Sequence, residues 1–141
     1  MSDDRSTANA AWAALLLRAT LGGLFLAHAG LKLFVFTPAG TAGFFASLGL
    51  PPALAYVTIL AEIAGGVALI AGLWTRWVAL ALLPVLLGAI ATVHAANGFW
   101  FTAAGGGWEY PAFWAVALVV QSLLGAGALA VRLPLRPAVP A

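Results

Sequence analysis

The chain has 141 residues, of which 64% are hydrophobic and only 7% are charged, whereas a soluble domain carries charge on roughly 25% of its residues. So few charges do not cover a soluble surface, and the composition is that of a membrane protein. The net charge of +2 comes without a basic, aromatic-rich patch, so no nucleic-acid partner is expected, and the lack of cysteine excludes disulfides and thiol redox relays within the chain.

A helix needs about 20 predominantly apolar residues to cross a bilayer, and four stretches of the sequence meet this requirement. They follow a polar N-terminal tail, residues 1–10, and are predicted at about residues 11–36, 53–73, 77–96 and 110–131. The sequence therefore predicts an all-α membrane protein. Its membrane domain, residues 11–133, is expected to be a four-transmembrane-helix up-down bundle, followed by a C-terminal tail at residues 134–141.

The basic residues outside the spans fall on one side of such a bundle: Arg5, Arg76, Arg132 and Arg136. The opposite side holds segments 37–52 and 97–109, which contain no Lys or Arg. Because cytoplasmic segments carry the excess of basic residues, we expect both the N- and C-termini to be cytoplasmic. The Ala- and Gly-rich composition is typical of a bacterium with a GC-rich genome, so a multi-pass location in the bacterial cytoplasmic (inner) membrane is expected.

The segment between the first two spans is not an ordinary polar loop. It reads TPAGTAGFFASLGLPP, with Phe44, Phe45 and Leu48 on one helical face and Gly49 as a stop. This pattern predicts a short helix that lies in the membrane interface.

Polar side chains within the spans are the first candidate site residues, because a charge at mid-bilayer costs roughly 2.5–3.5 kcal/mol even on insertion scales and needs a partner. On the first helix, steps of about 100° per residue place Arg18 and Lys32 on one stripe, with His28 at its border. Glu62 lies near the centre of the second span, and Gln121 lies at a matching depth in the fourth.

Two interpretations of this group stand open. In one, Arg18 and Glu62 form a buried ion pair that only fixes the register of the two helices. In the other, a polar pocket that opens outward between the helices binds a small molecule or relays protons, since one acid faces two cations and a histidine.

A second group of candidates lies at the non-cytoplasmic face: His94 and Asn97 near the end of the third span, and Glu109 and Tyr110 at the start of the fourth. Two histidines on different helices can in principle ligate haem or a metal, but nothing in the sequence completes such a site, and no metal site is predicted. A quinone headgroup, which needs hydrogen-bond donors in an apolar slot, matches this set better. No other cofactor is evident, and no catalytic residue is assigned.

The ordered set of these segments resembles the DoxX family of small bacterial four-helix membrane proteins. The resemblance covers residues 15–133 and rests on LLLRATLGGLFLAHAGLKLF, TAGFFASLGLPPALAY, AEIAGGVALIAGLWTRWVAL, TVHAANGFW and GGGWEYP. The tail departs from the family pattern, because residues 125–132 keep the glycines but lack the Asp of a Ser-Leu-Asp-like segment.

The resemblance implies recurring polar positions at Arg18, His28, Lys32, Glu62, Arg76, His94 and Glu109. Since some DoxX-like proteins are associated with membrane redox chemistry, it also implies a redox-associated subunit that binds a quinone or another small molecule. Any activity would be that of an oxidoreductase subunit working with a partner protein, and the other expected partners are the lipid bilayer and further copies of the chain. The alternative is a non-enzymatic membrane scaffold or assembly partner with a structural buried charge network.

Overall fold

The computed structural model describes residues 2–131, and within this range the chain forms helices and no strand. Five α-helices follow in chain order: α1 Ser2–Gly30, α2 Pro38–Ser47, α3 Ala53–Ala71, α4 Thr75–Ala89 and α5 Glu109–Leu124. A π-helical turn, Leu31–Val35, continues α1, and a second one, Ile90–His94, continues α4 into a 3-10 turn, Ala95–Asn97. The predicted all-α class is confirmed for the described residues.

Among residues 2–131, three helical segments are long and apolar enough to cross a membrane: Asp4–Val35, Ala53–Ala71 and Thr75–Asn97. Helix α5 has 16 residues, which gives about 24 Å at 1.5 Å per residue, less than a hydrocarbon core of about 30 Å. The apolar sequence runs on to Val131, but Gly125 ends the helix with a φ of 79°. The predicted fourth helix is therefore present but shorter than expected.

The first helix begins earlier than the predicted residue 11, because α1 starts at Ser2. Alanine is the strongest helix former and recurs in this polar stretch, and the acidic Asp4 lies at the helix N-terminus, where a negative charge is favourable. The polar residues from Ser2 onward are therefore helical and continuous with the rest of α1. Arg132 and the predicted C-terminal tail, which contains Arg136, lie outside the described residues.

The four longer helices form one bundle in which α1 packs on α3 and α5, and α4 packs on the same two helices. The chain after α5 returns to the first part of α1 and to the end of α3. There, Ala128 N–H donates to Ala11 O (2.9 Å) and Val131 N–H donates to Ala71 O (3.0 Å). Neighbouring helices therefore run up and down. The core between them includes Leu21, Phe25, Leu69, Leu82, Trp114 and Leu118.

One end of this bundle is called the arginine end below. It consists of residues 72–76 and 125–131 and of the side chains that contact them, which include Arg18 and Gln121. Arg18 and Arg76 both donate to main-chain oxygens in this region. The opposite end holds α2 and the loop of residues 98–108.

Helices α1 and α3 approach closely at Gly22 and Gly66. A Cβ atom at Gly22 would lie 2.6 Å from Gly66 O, and one at Gly66 would lie 2.9 Å from Gly22 O. The adjacent Gly23 has nothing within 4 Å of its Cβ position. Because small residues allow membrane helices to approach, Gly22 and Gly66 set the spacing of α1 and α3.

The short helix predicted between the first two spans is confirmed as α2. Thr37 caps its N-terminus by accepting a hydrogen bond from Gly40 N–H (3.1 Å). Pro38 occupies the first turn, where its missing N–H costs little. The position of α2 in the membrane interface stays a prediction.

Candidate functional site

A buried ion pair joins the π-helical turn after α1 to the middle of α3. Lys32 Nζ lies 2.7 Å from Glu62 Oε1 and 2.9 Å from Oε2, so the ammonium donates to both oxygens. Glu62 is 3% exposed, whereas the side chain of Lys32 is 18% exposed. Helical side chains lean towards the helix N-terminus, which brings the ammonium back along α1 to the level of Glu62.

Arg18 donates to main-chain carbonyls at the arginine end. Its Nε donates to Ala126 O and its Nη2 to Ala128 O, each at 2.8 Å. Its Nη1 donates to Leu69 O (3.1 Å) and to Ile70 O, in the last turn of α3. Such carbonyls lack partners within their helix and favour a cation. Since Arg18 is 1% exposed, its charge is held in a cage of carbonyl oxygens.

The predicted Arg18–Glu62 ion pair is therefore wrong, because the cation on Glu62 is Lys32. The position of each cation along α1 did not show which of them pairs with Glu62, since both have long side chains that reach towards the level of Glu62. The prediction also did not include the main-chain carbonyls in the last turn of α3, which accept hydrogen bonds from Arg18 without an acid. Each cation thus has its own acceptors, and Glu62 pairs with one cation where two were expected to face it.

His28 lies one turn before Lys32 and contacts a tryptophan of α5. The rings of His28 and Trp114 meet edge to face with centroids 5.0 Å apart, and the rings of Phe25 and Trp114 lie 4.7 Å apart. Trp114 is 6% exposed, and its indole N–H has no hydrogen-bond partner among residues 2–131. A buried donor left without a partner costs roughly 1–3 kcal/mol, so this N–H indicates a site for an acceptor.

Trp114 was not among the residues predicted from the sequence, although its helical spacing carries a signal. Trp114, Leu118 and Gln121 recur at helical spacing and share the buried face of α5. This spacing distinguishes Trp114 from the exposed aromatic residues of the preceding loop.

His94 and Tyr110 join the end of the α4 segment to the start of α5. Tyr110 OH lies 2.9 Å from His94 Nε2, and His94 Nδ1 lies 2.8 Å from Gly106 O. Because a carbonyl only accepts, Nδ1 carries the proton, and in the neutral ring Nε2 accepts from the tyrosine. Asn97 donates to the same Gly106 O at 3.0 Å. Both ring nitrogens of His94 are therefore occupied, and a haem or metal would have to displace Tyr110 from Nε2.

Glu109 fixes the same loop close to α5. Its Oε2 accepts a hydrogen bond from Phe101 N–H (3.2 Å), and its own N–H donates to Phe99 O (3.0 Å). Four of the predicted residues therefore shape the loop of residues 98–108: His94, Asn97, Glu109 and Tyr110.

Gln121 belongs to the arginine end and not to the level of Glu62. It is fully buried, and its Nε2 donates to Gly125 O at 2.7 Å, which closes the end of α5. Its side-chain oxygen has no partner within the described part of the chain.

The predicted site residues thus fall into three groups. The mid-membrane cluster consists of Lys32, Glu62 and His28, together with Trp114. The loop cluster consists of His94, Asn97, Glu109 and Tyr110, and Arg18 and Gln121 lie at the arginine end. Lys32 and His94 both lie in π-helical turns, which are rare and are often found at functional sites. Ligand binding by these residues stays a prediction.

Comparison with known proteins places the chain in a family. The family described as DoxX matches residues 13–95, more than half of the chain. A protein of Bacillus subtilis (strain 168) named "Putative oxidoreductase CatD" is 46% identical over 79 residues, which are 56% of this chain and 58% of that protein. The match thus spans little more than half the length of this relative, and no solved structure matches significantly. The chain belongs to the DoxX family, whose members are small membrane proteins.

Proposed function

We propose that the chain is a redox-associated membrane subunit whose mid-membrane cluster binds a quinone or a similar small carbonyl compound. The observation that carries the proposal is the unpartnered indole N–H of Trp114, buried beside His28. The adjacent Lys32–Glu62 pair places an acid and a base in the same apolar region.

The cluster offers donors for the hydrogen bonds that a quinone carbonyl accepts. The indole of Trp114 donates from a buried position, and the ring of His28 makes no hydrogen bond with residues 2–131. The ammonium of Lys32 uses two of its hydrogens on Glu62 and keeps one more donor. A few polar groups within apolar walls, such as Phe25, are typical of small-molecule sites.

The electrons for quinone reduction are assigned to a partner protein, because the chain has no cysteine with which to relay them. The matched relative is named an oxidoreductase, which supports a redox setting for this chain. In this assignment the chain holds the quinone and exchanges protons with it, while the partner supplies the electrons.

The test measures quinone retained by the purified full chain, by solvent extraction and mass spectrometry, relative to the amount carried by bulk lipid. Trp114→Phe keeps the ring and removes the N–H, and we expect retention to fall about fivefold, as for the loss of one hydrogen bond of about 1 kcal/mol. Trp12→Phe, at a tryptophan 56% exposed on α1, is the matched control. Equal retention by all three proteins, or no quinone above bulk lipid in the wild type, contradicts the proposal.

We further propose that α5 is a fourth membrane crossing and that both termini are cytoplasmic, in the inner membrane of a bacterium. Three observations support this topology: the apolar sequence of α5, its packing on α1 and α4, and the hydrogen bonds from residues 128 and 131 to the first part of α1 and the end of α3. Arg76 supports the orientation, because basic residues favour the cytoplasmic side.

The lack of native cysteine allows a direct test of the topology. Ala104→Cys precedes α5 and Leu129→Cys follows it, and both native residues are exposed. A membrane-impermeant thiol reagent added to whole cells is expected to label only Ala104→Cys. Labelling of both positions, or of neither before lysis, would show that α5 does not cross the membrane.

A second candidate function is a non-enzymatic scaffold, and the closed geometry of the ion pair favours it. Lys32 already occupies both oxygens of Glu62, so the pair is complete without a ligand. The double variant Lys32→Met with Glu62→Leu separates the two functions, because well-packed apolar residues replace many buried ion pairs without loss of stability. The scaffold predicts normal folded yield and no change in retained quinone, whereas the quinone site predicts normal yield with quinone lost.

A further inference from the structure

Arg76, the second residue of α4, keeps unused donors at the arginine end. Its Nε donates to Ser122 O (3.0 Å) in the last turn of α5. Its terminal Nη atoms have no partner within residues 2–131, and the residue is exposed. The first turn of α4 adds partial positive charge at the same place. An anion would therefore find both a guanidinium and a helix N-terminus here.

A cleft of about 390 Å³ begins at Arg76 and continues over apolar side chains. Ser122 lies beside Arg76, and Leu80 and Leu123 line the apolar part. Since Leu80 is one helical turn further into α4, the cleft has its charge at the end of the span and its hydrocarbon wall deeper inside. A phospholipid has its phosphate and acyl chains in this same order.

An adjoining cleft of about 290 Å³ shares Arg76 and Trp77 and is also lined by Thr75. Thr75 is 2% exposed, and its hydroxyl has no hydrogen-bond partner in the described part of the chain. A buried hydroxyl without a partner is unfavourable. Independently of the charge on Arg76, a residue that lines this cleft therefore carries a hydroxyl that lacks a hydrogen-bond partner.

Two tryptophans place Arg76 at the depth of lipid headgroups. Trp74 and Trp77 flank it and are 68% and 72% exposed, and the candidate span of α4 begins at Thr75. Tryptophan is enriched at the boundary between hydrocarbon and headgroups. The guanidinium therefore lies where the phosphates of the surrounding lipid lie.

We propose that the two adjoining clefts that share Arg76, together called the Arg76 cleft, form a binding site for an anionic phospholipid. Its phosphate binds the guanidinium of Arg76 and the hydroxyl of Thr75, and one acyl chain lies along Leu80 and Leu123. Basic groups at the membrane surface attract anionic lipids, with an effect of roughly fivefold in affinity for each arginine or lysine. The site is remote from the mid-membrane cluster, so it does not depend on the proposed redox role.

The test follows thermal unfolding of the purified full chain in detergent as phosphatidylglycerol, phosphatidylcholine or inorganic phosphate is added. Phosphatidylglycerol is expected to raise the Tm at concentrations where the other two have little effect. Arg76→Gln is expected to weaken this response about fivefold. Arg5→Gln removes an exposed arginine of α1 and is expected to respond like the wild type.

Because Arg76→Gln also loses the hydrogen bond to Ser122, a second variant leaves Arg76 in place. Leu80→Trp fills the apolar part of the cleft from an exposed position and is expected to weaken the response to phosphatidylglycerol as well. Equal stabilisation by the two lipids, or stabilisation by inorganic phosphate alone, would overturn the proposal. So would wild-type responses from both Arg76→Gln and Leu80→Trp.

Discussion

The two halves of the bundle stabilise their cations in different ways. At the arginine end, Arg18 and Arg76 donate to main-chain carbonyls at the ends of α3 and α5. In the other half, Lys32 donates to the carboxylate of Glu62. A main-chain carbonyl neither titrates nor changes its charge, so the arginine contacts serve architecture. A carboxylate can take up a proton or change its partner, so the Lys32–Glu62 pair is where chemistry can occur.

The largest loss of stability is expected from Arg18→Met, which breaks the carbonyl cage. The last turn of α3 and the segment of residues 125–131 lose their shared donor. Since a single hydrogen bond to a charged group contributes about 1.5–3 kcal/mol, we expect the free energy of unfolding to fall by at least about 3 kcal/mol. Unfolding in mixed detergent micelles measures it, with Arg5→Met as the exposed control. Equal stability of the two variants would show that the cage does not hold the bundle.

A smaller loss, about 2–3 kcal/mol, is expected from Glu62→Leu, which leaves Lys32 unpaired in an apolar region. The loss is limited because Lys32 is partly exposed and its ammonium can move towards solvent. Adding Lys32→Met should restore most of the stability in the same unfolding assay. A double variant no more stable than Glu62→Leu would show that the unpaired lysine is not the cause.

The close approach of α1 and α3 is tested by Gly22→Ala. The new methyl group would meet the main chain of α3 at Gly66, and overpacking of this kind costs about 1–3 kcal/mol. Gly23→Ala places a methyl group in open space and should raise helix stability by about 0.5–1 kcal/mol. Thermal unfolding of the two variants should therefore shift in opposite directions.

The smallest effect is expected from Tyr110→Phe in the loop cluster. It removes the hydrogen bond to His94 Nε2 at a residue that is 39% exposed, which costs about 0.5–1.5 kcal/mol. Hydrogen exchange of the loop of residues 98–108 should become faster, while the amides of α3 should not change. Tyr56→Phe, at a tyrosine 52% exposed on α3, is the control and should leave the loop amides unaffected.

The helices could be predicted because the hydropathy and the length of each apolar stretch are visible in the order of the residues. The residues at which the helices begin and end were harder to predict. Gly125 ends α5 although apolar residues continue beyond it, and α1 starts within a polar stretch. In both places local backbone preference outweighs hydropathy, and a search for apolar segments does not detect such preference.

The partners of the charged side chains were only partly predictable. The stripe on α1 correctly placed Lys32 near Glu62, because helical periodicity fixes which residues share a face. The acceptors of Arg18 are main-chain oxygens, which any residue type supplies, so no sequence pattern reveals them. Trp114 was not predicted because the candidates within the spans were chosen as polar side chains, whereas its burial follows from its helical phase on α5.

The carbonyl cage around Arg18 is complete only after the segment that follows α5 has been synthesised. Arg18 enters the membrane with the first helix, but its acceptor Ala126 is translated 108 residues later. Until α5 has been inserted, the guanidinium can bind only the end of α3. A chain interrupted before residue 126 would therefore leave Nε and Nη2 of Arg18 without the carbonyls that they bind in the finished bundle.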